Sequence, residues 1–591
     1  MNAKESIFSI IKKYSKSKHK YLIPCLILQV IVVLTSLVPI YSIWKIIISI
    51  FFYYPIFEAK TIMQYLFIAV IAQILSICCA FIASIMAHII AFEVENGLRE
   101  VSFTHLLELP VGYFQANESG RLRKIIDDNA SLTHSFIAHQ LPDLIPGFLI
   151  PLIVLISMFI VDFRFGLVLI FCLILAMLML KTSFSPTNNE KMKEYQYALE
   201  NINTEGVEYF RGIPVVKVFQ QSVLSFNRFY KVIKDYEKYC LDYTINFRNP
   251  YLLTNIALYL PYMLIGIVAI ILLTSSNNPL ILITNAIFYI LIALILNMSL
   301  MRLLKLATGI NNLNLAIGKI NEILQLKPLE INDETKNKEV DKSSIVLDNI
   351  SFSYDKKRVV VEEVSFEFKE GKSYGLVGKS GSGKSTLINL IARFYDVDKG
   401  NIYLDGVNVK SLSENEIFEK ISIVFQKQKL LKDTVFENIR MYDSTKTEED
   451  VKKALEKANG LEIIDNLEKG IFTNYGSQGT YFSGGEIQRI VLARAFLKDY
   501  PILLLDEALA FIDVDNEHEI LEAINKLKQD KTTIMILHRL NSVKSFDEII
   551  MLDDGKIISS GPHEVLINEC EKYKKLYQEY QKTVKWRVKN V

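Results

Sequence analysis

A chain of 591 residues is too long for one ordinary core, and with half its residues hydrophobic yet 22% charged, its apolar residues must be concentrated in one part of it. The formal charge of +1 gives no reason to expect a nucleic-acid partner, whose electrostatic footprint needs a basic patch or stripe. Cys25, Cys78, Cys79, Cys172, Cys240 and Cys570 show no paired metal-ligand spacing and read as small hydrophobes.

In chain order, the first feature is basic: Lys12, Lys13, Lys16, Lys18 and Lys20 precede the first apolar run and favour a cytoplasmic N-terminus. That run is longer than the apolar part of a signal peptide and lacks a small-residue cleavage pattern, so it is expected to remain as a membrane span. With about 20 apolar residues needed to cross the hydrocarbon core, there are about six candidate spans. They are Tyr21 to Phe52, Ile62 to Phe92, Leu141 to Val161, Phe163 to Leu180, Leu252 to Leu273 and Leu280 to Leu304. The first two exceed one perpendicular crossing and should tilt or extend beyond the bilayer. Short connections at Tyr53 to Thr61, Asp162 and Thr274 to Pro279 would lie outside. The long polar stretches Glu93 to Gln140 and Lys181 to Pro250 would project inward as helices.

Lys45 interrupts the first span. It would face either a cavity with an anionic ligand or the outer interface. Tyr259, Tyr262, Asn297, Met298 and Met301 are further candidates to line a cavity, with packing as the alternative.

From Ile317 to Lys342 the chain turns polar and reads as a linker. Beyond it, short β-rich runs alternate with helical ones, the pattern of an α/β domain. The expected division is a transmembrane domain over 1–320, a linker over 321–344, a nucleotide-binding domain over 345–580 and a tail over 581–591.

Gly378-Lys379-Ser380-Gly381-Ser382-Gly383-Lys384-Ser385, followed by Thr386, comes after the apolar run Tyr374 to Val377 and opens a helical stretch. This is a phosphate loop in its proper context: glycines let backbone N–H groups close around phosphate oxygens, Lys384 adds charge near the β and γ phosphates, and Ser385 can ligate magnesium. Ile502 to Leu505 ends in Asp506 and Glu507. A buried strand of this kind would present Asp506 to magnesium and Glu507 to the attacking water. The implied cofactors are ATP and Mg2+.

Phe482-Ser483-Gly484-Gly485-Glu486, lying between these motifs, resembles the signature of the ATP-binding cassette superfamily. The resemblance extends over most of the C-terminal half. It implies that Tyr354 stacks on adenine, Gln426 lies in the glutamine loop and reaches magnesium, His538 contacts the γ phosphate, and Asp513 belongs to the loop after the catalytic acid. Ser483, Gly484, Gly485 and Glu486 would cap ATP held by a partner's phosphate loop. Two half-transporters, identical or paralogous, would then enclose two ATP molecules.

Leu107 to Phe114, with Gly120, and Arg211 to Phe219 resemble that family's coupling segments. The whole chain therefore resembles an exporter-type half-transporter: six transmembrane helices with cytoplasmic extensions, fused to an α/β P-loop cassette. The loop Ala508 to Asp513 has Leu509 and Ala510 where many exporters carry hydroxyls. Together with Ile125 to Asn129 and Phe136 to Asp143 it resembles the branch that imports iron–siderophore complexes, as the yersiniabactin and mycobactin importers do. Export of a drug, lipid or peptide is the alternative, and an ATP-gated channel or sensor is a different class on the same scaffold. The apolar half argues against a soluble cassette acting on nucleic acid or ribosomes.

Overall fold

The computed structural model describes residues 6–53, 59–117, 119–183, 185–218, 227–274, 278–332, 344–426, 429–476, 480–506, 514–537 and 539–589. The chain divides into two compact units. One comprises Met1–Thr104 with Arg123–Leu324, the other His105–Leu122 with Gln325–Val591.

The first unit is helical. A short amphipathic helix α1 (Ile7–Tyr14), capped by Ser6 and burying Ile10, Ile11 and Tyr14, precedes the long helices α2 (Leu22–Tyr53) and α3 (Ala59–Leu107). After α4 (Val111–Ala116), which belongs to the second unit, come α5 (Ser119–Ser135), α6 (Leu144–Ile160) and α7 (Phe163–Ser183). The unit closes with α8 (Pro186–Val218), α9 (Asn227–Leu273) and α10 (Pro279–Leu324).

Among the described residues five helical stretches are long and apolar enough to cross a membrane, and Phe163–Met179 is a shorter apolar helix. Together they carry the six expected spans. Helix α7 packs along α9, and α10 lies against α2, α6 and α9.

Apolar side chains cover much of the outside of this unit: Phe159 is 83% exposed and Ile160 75%. Several of its interior polar groups are paired, as a medium without water favours. Tyr289 Oη donates to the Ser157 carbonyl at 3.1 Å, Ser299 Oγ to the Pro146 carbonyl at 3.0 Å, and Trp44 Nε1 to Asn285 Oδ1 at 3.3 Å. The Lys45 ammonium lies 4.8 Å from the Trp44 ring and 5.6 Å from the Tyr41 ring. Tyr262 Oη and Asn297 Oδ1 are buried, whereas Tyr259 and Met298 are exposed.

Phe136–Gln140 is a π-helical turn, with the Leu141 N–H donating to the Phe136 carbonyl at 3.0 Å. Such turns often mark functional positions. Here the turn brings His139 beside His88 of α3, ring centroids 4.9 Å apart, and His134 lies 5.5 Å from His88 with Nδ1 3.1 Å from Glu95. Among the described residues no group of His, Cys, Asp and Glu is arranged to hold a metal ion.

The second unit is built on two sheets. Strands β1 (Ile345–Phe352), β2 (Val361–Phe368), β3 (Ser373–Val377), β4 (Lys399–Leu404) and β5 (Val407–Asn408) are followed by β6 (Ile421–Val424), β7 (Ile502–Leu505), β8 (Thr532–Ile536), β9 (Glu548–Asp553) and β10 (Lys556–Gly561). An antiparallel sheet has the order β2-β1-β4-β5, and a six-stranded sheet the order β10-β9-β3-β8-β7-β6, parallel except for β10.

Every residue of β3, β7 and β8 is buried. That is why β7 reads as a continuous apolar run, Ile502 to Leu505: helices cover both faces of a parallel sheet. Side chains alternate between two cores, Leu503 and Leu505 entering one, Ile502 and Leu504 the other. The carboxyl ends of β3 and β7 lie at one edge of this sheet, where ligands bind in open α/β sheets.

Candidate active site

The phosphate loop leaves β3 at Gly378. This residue has φ +155°, and a Cβ there would collide with the Leu552 carbonyl; Gly383, at φ +100°, would bring a Cβ 2.8 Å from the Val360 carbonyl. Both positions therefore require glycine. Gly383 is the left-handed N-cap of the helix Lys384–Ile391, so the loop turns directly into a helix N-terminus, a site suited to anions.

Lys379, Ser380 and Gly381 form the exposed rim of the loop, and Ser382, Gly383, Lys384 and Thr386 are buried. The Lys384 ammonium folds back over the loop, donating to the carbonyls of Gly378 at 2.9 Å and Lys379 at 2.8 Å. Ser385 Oγ donates to Asp506 Oδ1 at 3.1 Å. Asp506 is held in turn, its N–H donating to the Val424 carbonyl at 2.9 Å. Residues 121 positions apart thus meet because β3 and β7 lie in one sheet on either side of β8.

Tyr354 is 52% exposed. Its hydroxyl lies 3.1 Å from Thr386 Oγ1, and its ring meets Phe352 and Tyr395 edge-on at 5.0 and 5.2 Å. Gln426 is exposed just beyond β6. A serine hydroxyl, a carboxylate and an amide oxygen make an all-oxygen donor set, which suits magnesium.

Ser483 is the N-cap of the helix Gly484–Lys498. Its Oγ accepts from the Glu486 N–H at 3.3 Å, and the Glu486 carboxylate accepts from the Ser483 N–H at 2.7 Å, a reciprocal capping box. Ser483 and Gly484 are exposed and Gly485 is buried, so the helix end is open to an outside ligand. Glu507, Asp513 and His538, with Leu509 and Ala510, lie outside the described residues.

The transmembrane region of ABC transporters matches residues 22–300, and the ABC transporter domain matches residues 361–510. The chain belongs to the ABC transporter family. Membrane region and ATPase domain are fused in one polypeptide.

The chain is 30% identical over 502 residues to the mycobactin import ATP-binding/permease protein IrtA of Mycolicibacterium smegmatis, covering 83% of this chain and 56% of that protein. It therefore spans little more than half the length of that relative. It is 31% identical over 505 residues to the ATP-dependent lipid A-core flippase of Haemophilus ducreyi, covering 84% of this chain and 85% of that one. A bacterial Atm1-family ABC exporter with ATP bound has the same fold: TM-score 0.77 at 20% identity, over 95% of this chain and 98% of that one.

Other residues of this ABC cassette carry no motif. Arg494 of the signature helix donates to Asn438 through Nε (2.5 Å to the carbonyl) and Nη2 (3.0 Å to Oδ1), and reaches the Lys429 carbonyl at 3.3 Å. Burial pulls its guanidinium down to about 10, so it stays charged at neutral pH. It ties the signature helix to the segment just past Gln426.

Helix α4, inside the segment Leu107 to Phe114, packs in this unit. Val111 meets the core, Tyr395 Oη donates to the Gly112 carbonyl at 2.7 Å, and the Gln115 and Asn389 amides exchange bonds at 3.2 and 3.5 Å. The Glu414 carboxylate accepts from the Val111 N–H, which carries no side-chain cap from its own segment; burial pushes the Glu414 carboxyl up. The one sequence sign of this contact was Gly112: a Cβ there would collide with Tyr395 and the Phe394 carbonyl.

Proposed function

We propose that this chain is one half of a dimeric transporter that hydrolyses ATP to move a small molecule across the cytoplasmic membrane, and that it imports an iron–siderophore complex. One observation carries the ATP-driven part: the Ser385 to Asp506 hydrogen bond, which joins the phosphate loop to the acid-bearing strand at a helix N-terminus. In this reading residues 1–320 form the membrane domain, 321–344 the linker, 345–580 the cassette and 581–591 the tail. The N-terminus and cassette face the cytoplasm.

The loop Gly378 to Thr386 holds the triphosphate, with Lys384 exchanging the Gly378 and Lys379 carbonyls for β and γ oxygens. Tyr354 stacks on adenine. When bound, magnesium neutralises phosphate charge, held by Ser385, Gln426 and Asp506. Glu507 orients and polarises the attacking water, and His538 contacts the γ phosphate. Ser483 to Glu486 present a helix N-terminus to ATP on the partner half, with Asp513 beside the joint. The capping box directs the Glu486 carboxylate back onto its own helix, leaving the exposed N–H end free for the phosphate.

The import direction draws on the IrtA relative and on the segment Phe136 to Asp143, which contains the π turn Phe136–Gln140. A second reading, outward movement of a lipid, draws on the flippase relative, most of whose length this chain covers.

Glu507→Gln in the purified full chain tests the ATP-driven part, because the amide keeps the shape of the carboxylate and loses its basicity. ATP binding should persist while turnover falls about a hundredfold or more. Turnover within about twofold of the unmodified chain would remove Glu507 from the catalytic role.

A further inference from the structure

We propose that Tyr395 is a positioning residue that carries the occupancy of the adenine site to helix α4. The proposal rests on the reading of Tyr354 as the adenine-stacking residue. Three contacts form the path. The Tyr354 hydroxyl is 3.1 Å from Thr386 Oγ1 on the phosphate-loop helix; the Tyr354 ring meets the Tyr395 ring edge-on, centroids 5.2 Å apart and planes at 89°; and the Tyr395 hydroxyl donates to the Gly112 carbonyl at 2.7 Å.

Phe352 touches both tyrosines, at 5.0 and 5.5 Å, so neither ring can turn without disturbing a packed trio. Purine stacking uses a face of Tyr354, a residue 52% exposed, and a base seated there loads the ring against its edge-on contact with Tyr395. Tyr395 is the half-buried partner that must respond. Its own hydroxyl is the link to α4, and burial pushes that hydroxyl's pKa up, keeping it a neutral donor.

The α4 end of the path is tight. A Cβ at Gly112 would collide with Tyr395 and the Phe394 carbonyl, so a shift of the phenol cannot be absorbed by slack and must move the backbone of α4. Glu414 on the Val111 N–H and Asn389 on Gln115 hold the flanks, which makes the Gly112 carbonyl the point where a ring motion becomes a helix motion. Helix α4 lies between α3, ending at Leu107, and α5, beginning at Ser119, so its motion is passed along the chain to membrane-crossing helices.

The test uses the full chain in nanodiscs and hydrogen exchange of the peptide 105–122, with a non-hydrolysable ATP analogue or inorganic tripolyphosphate as ligand. In the unmodified chain the analogue should change exchange of this peptide and tripolyphosphate, which fills the phosphate loop without a base, should not. Tyr395→Phe keeps the ring and removes the bond to Gly112. It should leave analogue affinity within about twofold while cutting the exchange response at least about threefold. Tyr354→Ala should weaken analogue binding by about fivefold or more.

An unaltered response in Tyr395→Phe, with Tyr354→Ala weakened, overturns the relay and leaves the stacking reading intact. Unchanged affinity in Tyr354→Ala overturns both. A full response to tripolyphosphate overturns the relay without any variant, should Tyr395→Phe fail to fold.

Discussion

The two units of this chain bury apolar residues in opposite senses. In the cassette, Leu503, Leu504 and Leu505 are inaccessible, while in the membrane half Phe159 is 83% and Ile160 75% exposed, though all five are equally apolar. The same hydrophobic effect acts in both. The solvent differs: water drives the cassette's side chains onto a sheet, whereas lipid leaves no such drive between helices and lets the membrane half hold together through packing and paired polar groups such as Tyr289 with Ser157. Chemistry therefore follows burial in the cassette and cannot be inferred from burial in the membrane half.

Substitutions sharpen this contrast. The largest effect is expected at the phosphate loop. Lys384→Ala removes the ammonium held over the loop and should cut nucleotide affinity or turnover by roughly tenfold or more, without loss of membrane insertion. Equilibrium binding and phosphate-release assays check it, and unchanged values would mean that the loop is not the nucleotide site.

Core truncation comes next. Leu504→Ala in β7 should destabilise the cassette by about 2–5 kcal/mol, visible as a drop in its thermal midpoint. Ser483→Ala removes a cap worth about 1 kcal/mol and, if the same helix end serves a partner's ATP as proposed, should lower turnover more than it lowers stability. Ile160→Ala, although it deletes the same kind of side chain as Leu504→Ala, should shift the melting of the membrane half by less than about 0.5 kcal/mol. A loss as large as that of Leu504→Ala would show that Ile160 is covered in the assembled transporter.

What could be read from sequence divides along the same line. The glycines at 378 and 383, the run Ile502 to Leu505 and the acid after it are forced by backbone geometry and burial, so the loop that turns into a helix N-terminus and the buried strand beside it were legible before any coordinates. The six spans were legible because hydrocarbon thickness sets their length. The segment that forms α4 stood out through Pro110 and Gly112, but not what it packs against: Tyr395, Asn389 and Glu414 look like ordinary residues until the fold brings them to α4. Arg494 was hidden for the same reason, a charge inside an apolar helix face whose partners, Asn438 and Lys429, lie 56 and 65 positions away. The π turn at Phe136–Gln140 has no sequence signature of its own, and the residues that would meet a substrate carry no motif at all.

The measurement that bears most directly on ATP-driven import is uptake of radiolabelled ferric siderophore under iron limitation in a strain lacking this protein. Uptake should fall in the deletion strain, return with the unmodified chain and stay low with Glu507→Gln, while sensitivity to toxic dyes and drugs is unchanged. Unchanged iron uptake together with greater accumulation of drugs or lipid in the deletion strain would contradict import and assign the outward direction.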